Sequence, residues 1–229
     1  MLVVSNIDLE ADVPSMKPSR FIKSTVKDFI LNINNDYRYM KTGYYVSLYA
    51  EVLGDKVIPA TRDIIDAYRV PVLLLRAMKA GVTVPPHIVT GSVKHITSEF
   101  SFPVVVFAVN PFSSNGFRVA NNRSALYRAV KSLSMNYKYA VCAQPLMGPI
   151  ATYKAFFGKC WTGDRHVEEN SRKVYETFKI PLCKLHIQHV NGEAYLCGLQ
   201  HLSLDEISMQ DIGKISHEIG KLFREGGFD

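Results

Sequence analysis

Short apolar runs, separated by polar and glycine-bearing stretches, set the rhythm of this chain. MLVVSN at the start, FILNIN near residue 30 and KVIPA near residue 57 have the length and composition of buried strands. Between the last two, GYYVSLYAEVLG places Tyr45, Leu48, Tyr49 and Val52 at helical spacing, with Gly54 as the stop. A strand–helix–strand order predicts parallel neighbours in one sheet.

Residues 69–82 predict an apolar connecting helix, and the adjacent prolines of TVPPHIVTG hold the next segment extended. A helix near 92–99 precedes the strand FPVVVFAVN. The loop PFSSNG and the short strand FRVAN lead to the helix RSALYRAVKSLSM, capped by Asn121 or Asn122. The strands YAVCAQPLM and TYKAFFGKCW and the helix VEENSRKVYETFK follow. Asn191-Gly192 then predicts a tight type I′ hairpin. Strict alternation along its second arm sets Tyr195, Cys197 and Leu199 on one face and Leu196, Gly198 and Gln200 on the other. A last amphipathic helix carries Ile212, Ile215, Ile219, Leu222 and Phe223 on one stripe. The pattern divides into an N-terminal α/β domain over 1–68, a connecting helix over 69–82 and an α+β module over 83–229.

Composition narrows the function classes. With 229 residues, 47% hydrophobic and 21% charged, the chain is long enough to bury a core and ordinary enough to be globular. Its longest apolar run, VPVLLLRAM, is cut by Arg76 and falls short of a membrane span. The N-terminus lacks the basic region of a secretory signal, so a cytoplasmic protein is expected. The net charge of +6 comes from scattered basic residues with no run suited to nucleic acid. Cys142, Cys160, Cys183 and Cys197 are far apart and read as reduced core residues. His186 and His189 stand three apart on a strand and point to opposite faces, which argues against a zinc set with Cys183, Cys197 and His201.

Two stretches carry a family resemblance. Tyr37-Arg38-Tyr39, Gly43-Tyr44-Tyr45-Val46-Ser47-Leu48, Ala50-Glu51 and Val57-Ile58-Pro59 form a dense run. It resembles the N-terminal domain that precedes the catalytic module in one branch of RimK-like ATP-grasp ligases. From AGVTVPPHIV onward, the order of strands, loop and helices is similar to an ATP-grasp module, ending at the hairpin that normally holds magnesium. The resemblance implies a small parallel, pre-ATP-grasp-like α/β domain followed by an α+β ATP-grasp-like module. It further implies ATP, magnesium and carboxylate–amine ligation. Ligases of this branch are longer, so both modules read as trimmed.

The chemistry implied by the resemblance needs a cation on the transferred phosphoryl group and carboxylates on Mg²⁺. Here Phe107 stands where the ATP-binding lysine is expected, and Gln144-Pro145 where the hinge glutamate is expected. Gly198 and Gln200 fall on the metal-ligand positions, and CKLHIQHV contains no carboxylate. The expectation is therefore a degenerate relative with no catalytic residues, no metal ligands and no cofactor, acting through a protein partner: a second copy or a related active ligase subunit. The alternative is an active ligase using ATP and Mg, with Arg118, Lys154 and Lys159 on phosphates and Asp205 or Glu206 on metal. Nucleotide-binding candidates are Ser113, Ser114, Asn115, Gly116, Arg118 and Lys154; the competing and favoured reading of the same loop is a hairpin turn with Asn115-Gly116 at its tip. Ligand or partner candidates are Tyr37, Arg38, Tyr39, Gly43, Tyr44 and Tyr45, at a strand-to-helix turn where parallel sheets bind ligands. Core packing is the competing reading for these tyrosines.

Overall fold

Four short strands pair in parallel at the N-terminus: β1 (Leu2–Ser5), β2 (Ser15–Met16), β3 (Ile30–Ile33) and β4 (Val57–Ile58), in the order β2-β1-β3-β4. The computed structural model describes residues 1–110 and 116–225. Helices α1 (Pro18–Phe21), α2 (Thr42–Leu53), α3 (Thr61–Ala67) and α4 (Val70–Lys79) accompany this sheet. Leu2, Val4 and Ile30 pack with Phe21, Val46 and Ala50, whereas Val3, Leu31 and Ile33 enter a larger core with Ile64 and Leu73. Covering both faces is why these strands read as unbroken apolar runs.

The buried face of α2 differs from the expected stripe. Gly43, Tyr44, Val46, Ser47 and Ala50 face inward, while Tyr45 is 41% and Val52 75% exposed. Both stripes have helical spacing; close approach to the sheet selects the one with small side chains. Ser47 completes it by donating to Pro59 O at 2.6 Å and accepting from Asn32 Nδ2 at 2.7 Å. Gly54 ends the helix at φ 82°, as its position predicts.

A second, antiparallel sheet comprises β5 (Ile88–Thr90), β6 (Val104–Ala108), β7 (Phe117–Ala120) and β8 (Val141–Pro145), in the order β5-β8-β6-β7. Helices α5 (Val93–Glu99) and α6 (Arg123–Leu133) cover one face through Ile96, Leu126, Val130 and Leu133. Asn122 caps α6 by accepting from the Ala125 N–H at 2.9 Å.

The third sheet, also antiparallel, joins β9 (Ile150–Phe156), β10 (Leu182–Val190) and β11 (Glu193–Gln200), with α7 (Arg165–Phe178) and α8 (Met209–Arg224) packed nearby. Ile215 and Ile219 of α8 are fully buried, and Phe223 lies at the margin at 39% exposed. Asn191 and Gly192 both take positive φ, 51° and 84°, as a type I′ turn requires. The expected alternation along β11 does not persist. His186 lies opposite Gly198 but Ile187 opposite Leu196, so Cys197 is an extra, bulged residue. Ala194, Leu196 and Leu199 therefore enter one core, while Cys197 and Gly198 both meet β6.

Candidate functional site

The space between the two antiparallel sheets is filled by side chains. Val104 and Val106 of β6 face the helices, so Val105 and Phe107 face the third sheet. Phe107 is 1% exposed, and a Cβ on Gly198 would come within 2.7 Å of its ring. The Phe117 ring centres 5.4 Å from Phe107 and 5.1 Å from His186. Two buried amides close the seam. Gln144 Nε2 donates to Cys197 O at 2.8 Å. Gln188 accepts from the Met147 N–H at 2.8 Å and donates to Pro145 O at 3.2 Å. Burial keeps the neighbouring thiols protonated, pushing Cys142 up to about 12 and Cys197 to about 11.

The third sheet turns Thr152, Lys154, Lys184, His186, Gly198 and Gln200 along matched register positions. Its lysines are committed to carboxylates. Lys154 donates to Asp211 at 2.8 Å and to the Glu206 carbonyl, and Lys184 holds Glu206 at 2.7 Å. Lys159 pairs with Glu218 at 2.7 Å. Burial opposes ionisation of Asp211 and Glu206, but the lysines and the Ser208 and Ser203 N–H groups outweigh it and hold both below the ordinary carboxylate range. His186 is 3% exposed; burial, then the Lys184 charge, lowers it to about 4, against a smaller opposing effect of Gln200. Its Nδ1 meets Thr152 Oγ1 at 3.0 Å, and the Gln200 side chain acts on the same ring. His189, three residues on, bonds Tyr153 instead, at 2.8 Å. Among the described residues, no group of three or more His, Cys, Asp or Glu is arranged to hold a metal ion. Mg²⁺ prefers carboxylate oxygens, and Gly198 and Phe107 offer none, the ring lying 2.7 Å from where a Gly198 Cβ would stand.

Comparison with known proteins places the fold. The family model of the RimK-like ATPgrasp N-terminal domain matches residues 19–217. The chain belongs to this family. Solved structures agree on the fold: a RimK domain ATP-grasp protein from Sphaerobacter thermophilus aligns with TM-score 0.67 at 12% identity, covering 96% of this chain and 100% of that one. D-alanine–D-alanine ligase from Bacillus anthracis aligns with TM-score 0.64 at 14% identity, covering 98% and 97%. No curated protein sequence matches. The family match takes in β3 and β4 of the parallel sheet and both antiparallel sheets.

Within this RimK-like ATP-grasp N-terminal domain the candidate residues separate. Tyr37 is fully buried, its hydroxyl donating to Asn32 O and accepting from the Asn34 N–H, both at 2.9 Å. Tyr44 is buried against Tyr39, with ring centres 5.1 Å apart, and Tyr45 points outward. Gly43 permits the close turn: a Cβ there would lie 2.6 Å from Asp36 O. Gly43→Ala is accordingly expected to cost about 1–3 kcal/mol, read as a lower urea midpoint; an unchanged midpoint would contradict the close approach. Arg118 pairs in register with Val106 and so stands on the helix-covered side of β7, exposed. Lys154 is held by Asp211, while Ser113, Ser114 and Asn115 lie outside the described residues.

Arg38, Tyr39 and Gly116, from the two separate candidate sets, do come together. They line a cavity of about 60 Å³ with Tyr68, Arg69, His186, Gln200 and His201. Tyr68 and Arg69 carry no motif, and they fall where the hydrophobic pattern changes between α3 and α4. Their one sequence signal is a second Tyr-Arg pair echoing Tyr37-Arg38.

Proposed function

We propose that this RimK-like ATP-grasp family member does not catalyse ligation and works by binding, as the partner or regulatory subunit of an active ligase, in the cytoplasm and without a nucleotide or metal of its own. The observation that carries this reading is the Phe107 ring seated on Gly198. The position expected to bring the phosphate-binding lysine and the position expected to bring a metal ligand pack against each other. Phosphoryl transfer needs charge stabilisation at that point, and a ring against a glycine supplies none. The seam amides add to this support, since the Gln144 amide N–H is already bonded to the facing strand. So do the ion pairs of Lys154 and Lys159, which the active-ligase alternative places on phosphates, and of Glu206, one of its two metal-ligand candidates. No helix among the described residues is long and apolar enough to cross a membrane.

Titration of ATP with Mg²⁺ into the purified chain is expected to give no binding heat in a calorimeter. Co-purification with a second ATP-grasp subunit from the native source supports the partner role. Magnesium-dependent ATP hydrolysis above the buffer background, lost in Lys154→Met, would overturn the reading.

A further inference from the structure

We propose that the exposed face of α6 and the turn after it form a binding surface for single-stranded nucleic acid. The inference goes beyond the partner role proposed above and does not depend on it. Basic residues that are scattered along the sequence are not scattered over the fold. The module built on the second sheet, residues 88–145, holds Lys94, Arg118, Arg123, Arg128, Lys131 and Lys138 against one acid, Glu99. Six basic residues against one acidic give this module +5 of the chain's net +6.

These cations are available to a partner. All six are exposed, and the module's one ion pair among the described residues is His95 with Glu99, at 3.9 Å. Around the third sheet, by contrast, Lys154, Lys159 and Lys184 each hold a carboxylate. Unpaired like charges on one small module repel one another, and an anionic partner relieves that repulsion.

The α6 helix arranges them in a row. It buries Leu126, Ala129, Val130 and Leu133 against the sheet. Its exposed side carries Arg123, Tyr127 and Lys131 at i, i+4 spacing, one above another at about 6 Å per step. The Arg123 guanidinium lies 5.9 Å from the centre of the Tyr127 ring. Arg118 adds a cation on the side of β7 that α6 covers.

The chain then folds back onto the end of α6. The Asn136 N–H donates to Lys131 O at 2.8 Å, and the Tyr139 N–H to Ser134 O at 3.0 Å. Met135, Asn136 and Tyr137 take positive φ in succession, at 51°, 61° and 63°, with no glycine among them. Left-handed backbone is unfavourable for side chains of this size, and such strain concentrates at functional sites. The turn holds Tyr137 and Tyr139 at 50% and 40% exposed on either side of Lys138, and Tyr127 is 45% exposed.

Rings and cations together select the partner. A single strand alternates phosphates with flat bases; lysine and arginine answer the first, and exposed tyrosine rings the second. An acidic protein surface calls for the cations alone. An anionic membrane favours Trp, Phe and Leu over tyrosine hydroxyls. A duplex keeps its bases stacked on one another, which leaves the rings nothing to stack on.

The test is fluorescence anisotropy of a labelled, unstructured RNA of about 12 nucleotides, titrated with the full chain. Saturable binding is expected in 50 mM KCl, weakened roughly 50-fold in 200 mM KCl for about four neutralised phosphates. Tyr127→Ala should weaken it at least about fivefold, whereas Tyr127→Phe keeps the ring and the affinity. Lys131→Gln should weaken binding and lower the salt slope by about 0.7. Lys79→Gln, at an exposed position outside the module, should do neither. Absent or salt-insensitive binding, full affinity in Tyr127→Ala, or an equal loss in Lys79→Gln would overturn the proposal. So would tighter binding of a duplex of the same length. Displacement of the RNA by polyglutamate at equal charge would overturn it too, assigning the face to an acidic protein.

Discussion

Gly198→Glu, which restores a carboxylate at a position where the family resemblance expects a metal ligand, is expected to destabilise the protein by roughly 3 kcal/mol or more rather than to create a metal site. Even a methyl group there meets the Phe107 ring at 2.7 Å, and Phe107 is too deeply buried to swing aside. The backbone at Gly198 is not left-handed, so the cost comes from contact and charge burial rather than from conformation. A double-mutant cycle isolates the contact. Phe107→Ala alone should cost about 3–5 kcal/mol and Gly198→Ala alone about 1–3 kcal/mol. Together they should cost less than the sum, because the ring that obstructs the methyl is gone. Urea unfolding measures all three. Strict additivity, or a Gly198→Glu midpoint equal to the parent's, would show that the sheets are not sealed at this point.

Acidification should expose the second large effect. His186 titrates near 6.5 when unfolded and at about 4 in the folded chain, so the unfolded state binds the proton first as pH falls. Stability is therefore full above pH 6.5 and declines down to about pH 4, by roughly 3 kcal/mol. His201, lowered chiefly by burial, acts in the same direction and starts from the same pH. The depressed carboxyls Asp36, Glu206 and Asp211 act lower, their contribution being lost as pH falls through their folded values. His186→Gln should flatten the slope of unfolding free energy between pH 6.5 and 4 while preserving the steeper loss below. A slope unchanged by His186→Gln would refute the assignment to this ring.

Much of the fold was legible because it rests on local periodicity. The runs MLVVSN and FILNIN became β1 and β3, Asn122 caps α6, and Asn191-Gly192 makes its turn, each through chemistry contained within a few residues. The α2 stripe was misread for the opposite reason. Tyr45, Leu48, Tyr49 and Val52 are the more hydrophobic set, but the distance between helix and sheet favours glycine, serine and alanine, and that distance is a property of the packed unit. The β11 faces failed likewise: a bulge is one residue counted against the partner strand, and nothing within EAYLCGLQ announces it.

The candidate site divides along the same line. By itself, the sequence determined that lysine, glutamate and metal-ligand positions expected from the family hold Phe107, Gln144, Gly198 and Gln200, because residue identity at a motif position needs no structure to read. Only the tertiary structure decided that Phe107 sits on Gly198 and that Gln144 bonds the facing strand, so that these side chains form one packed seam. It also decided that Arg38, Tyr68, Arg69 and His186, spread over some hundred and fifty positions, border one cavity. Side-chain chemistry is written residue by residue, whereas complementarity between surfaces exists only once the three sheets have come together.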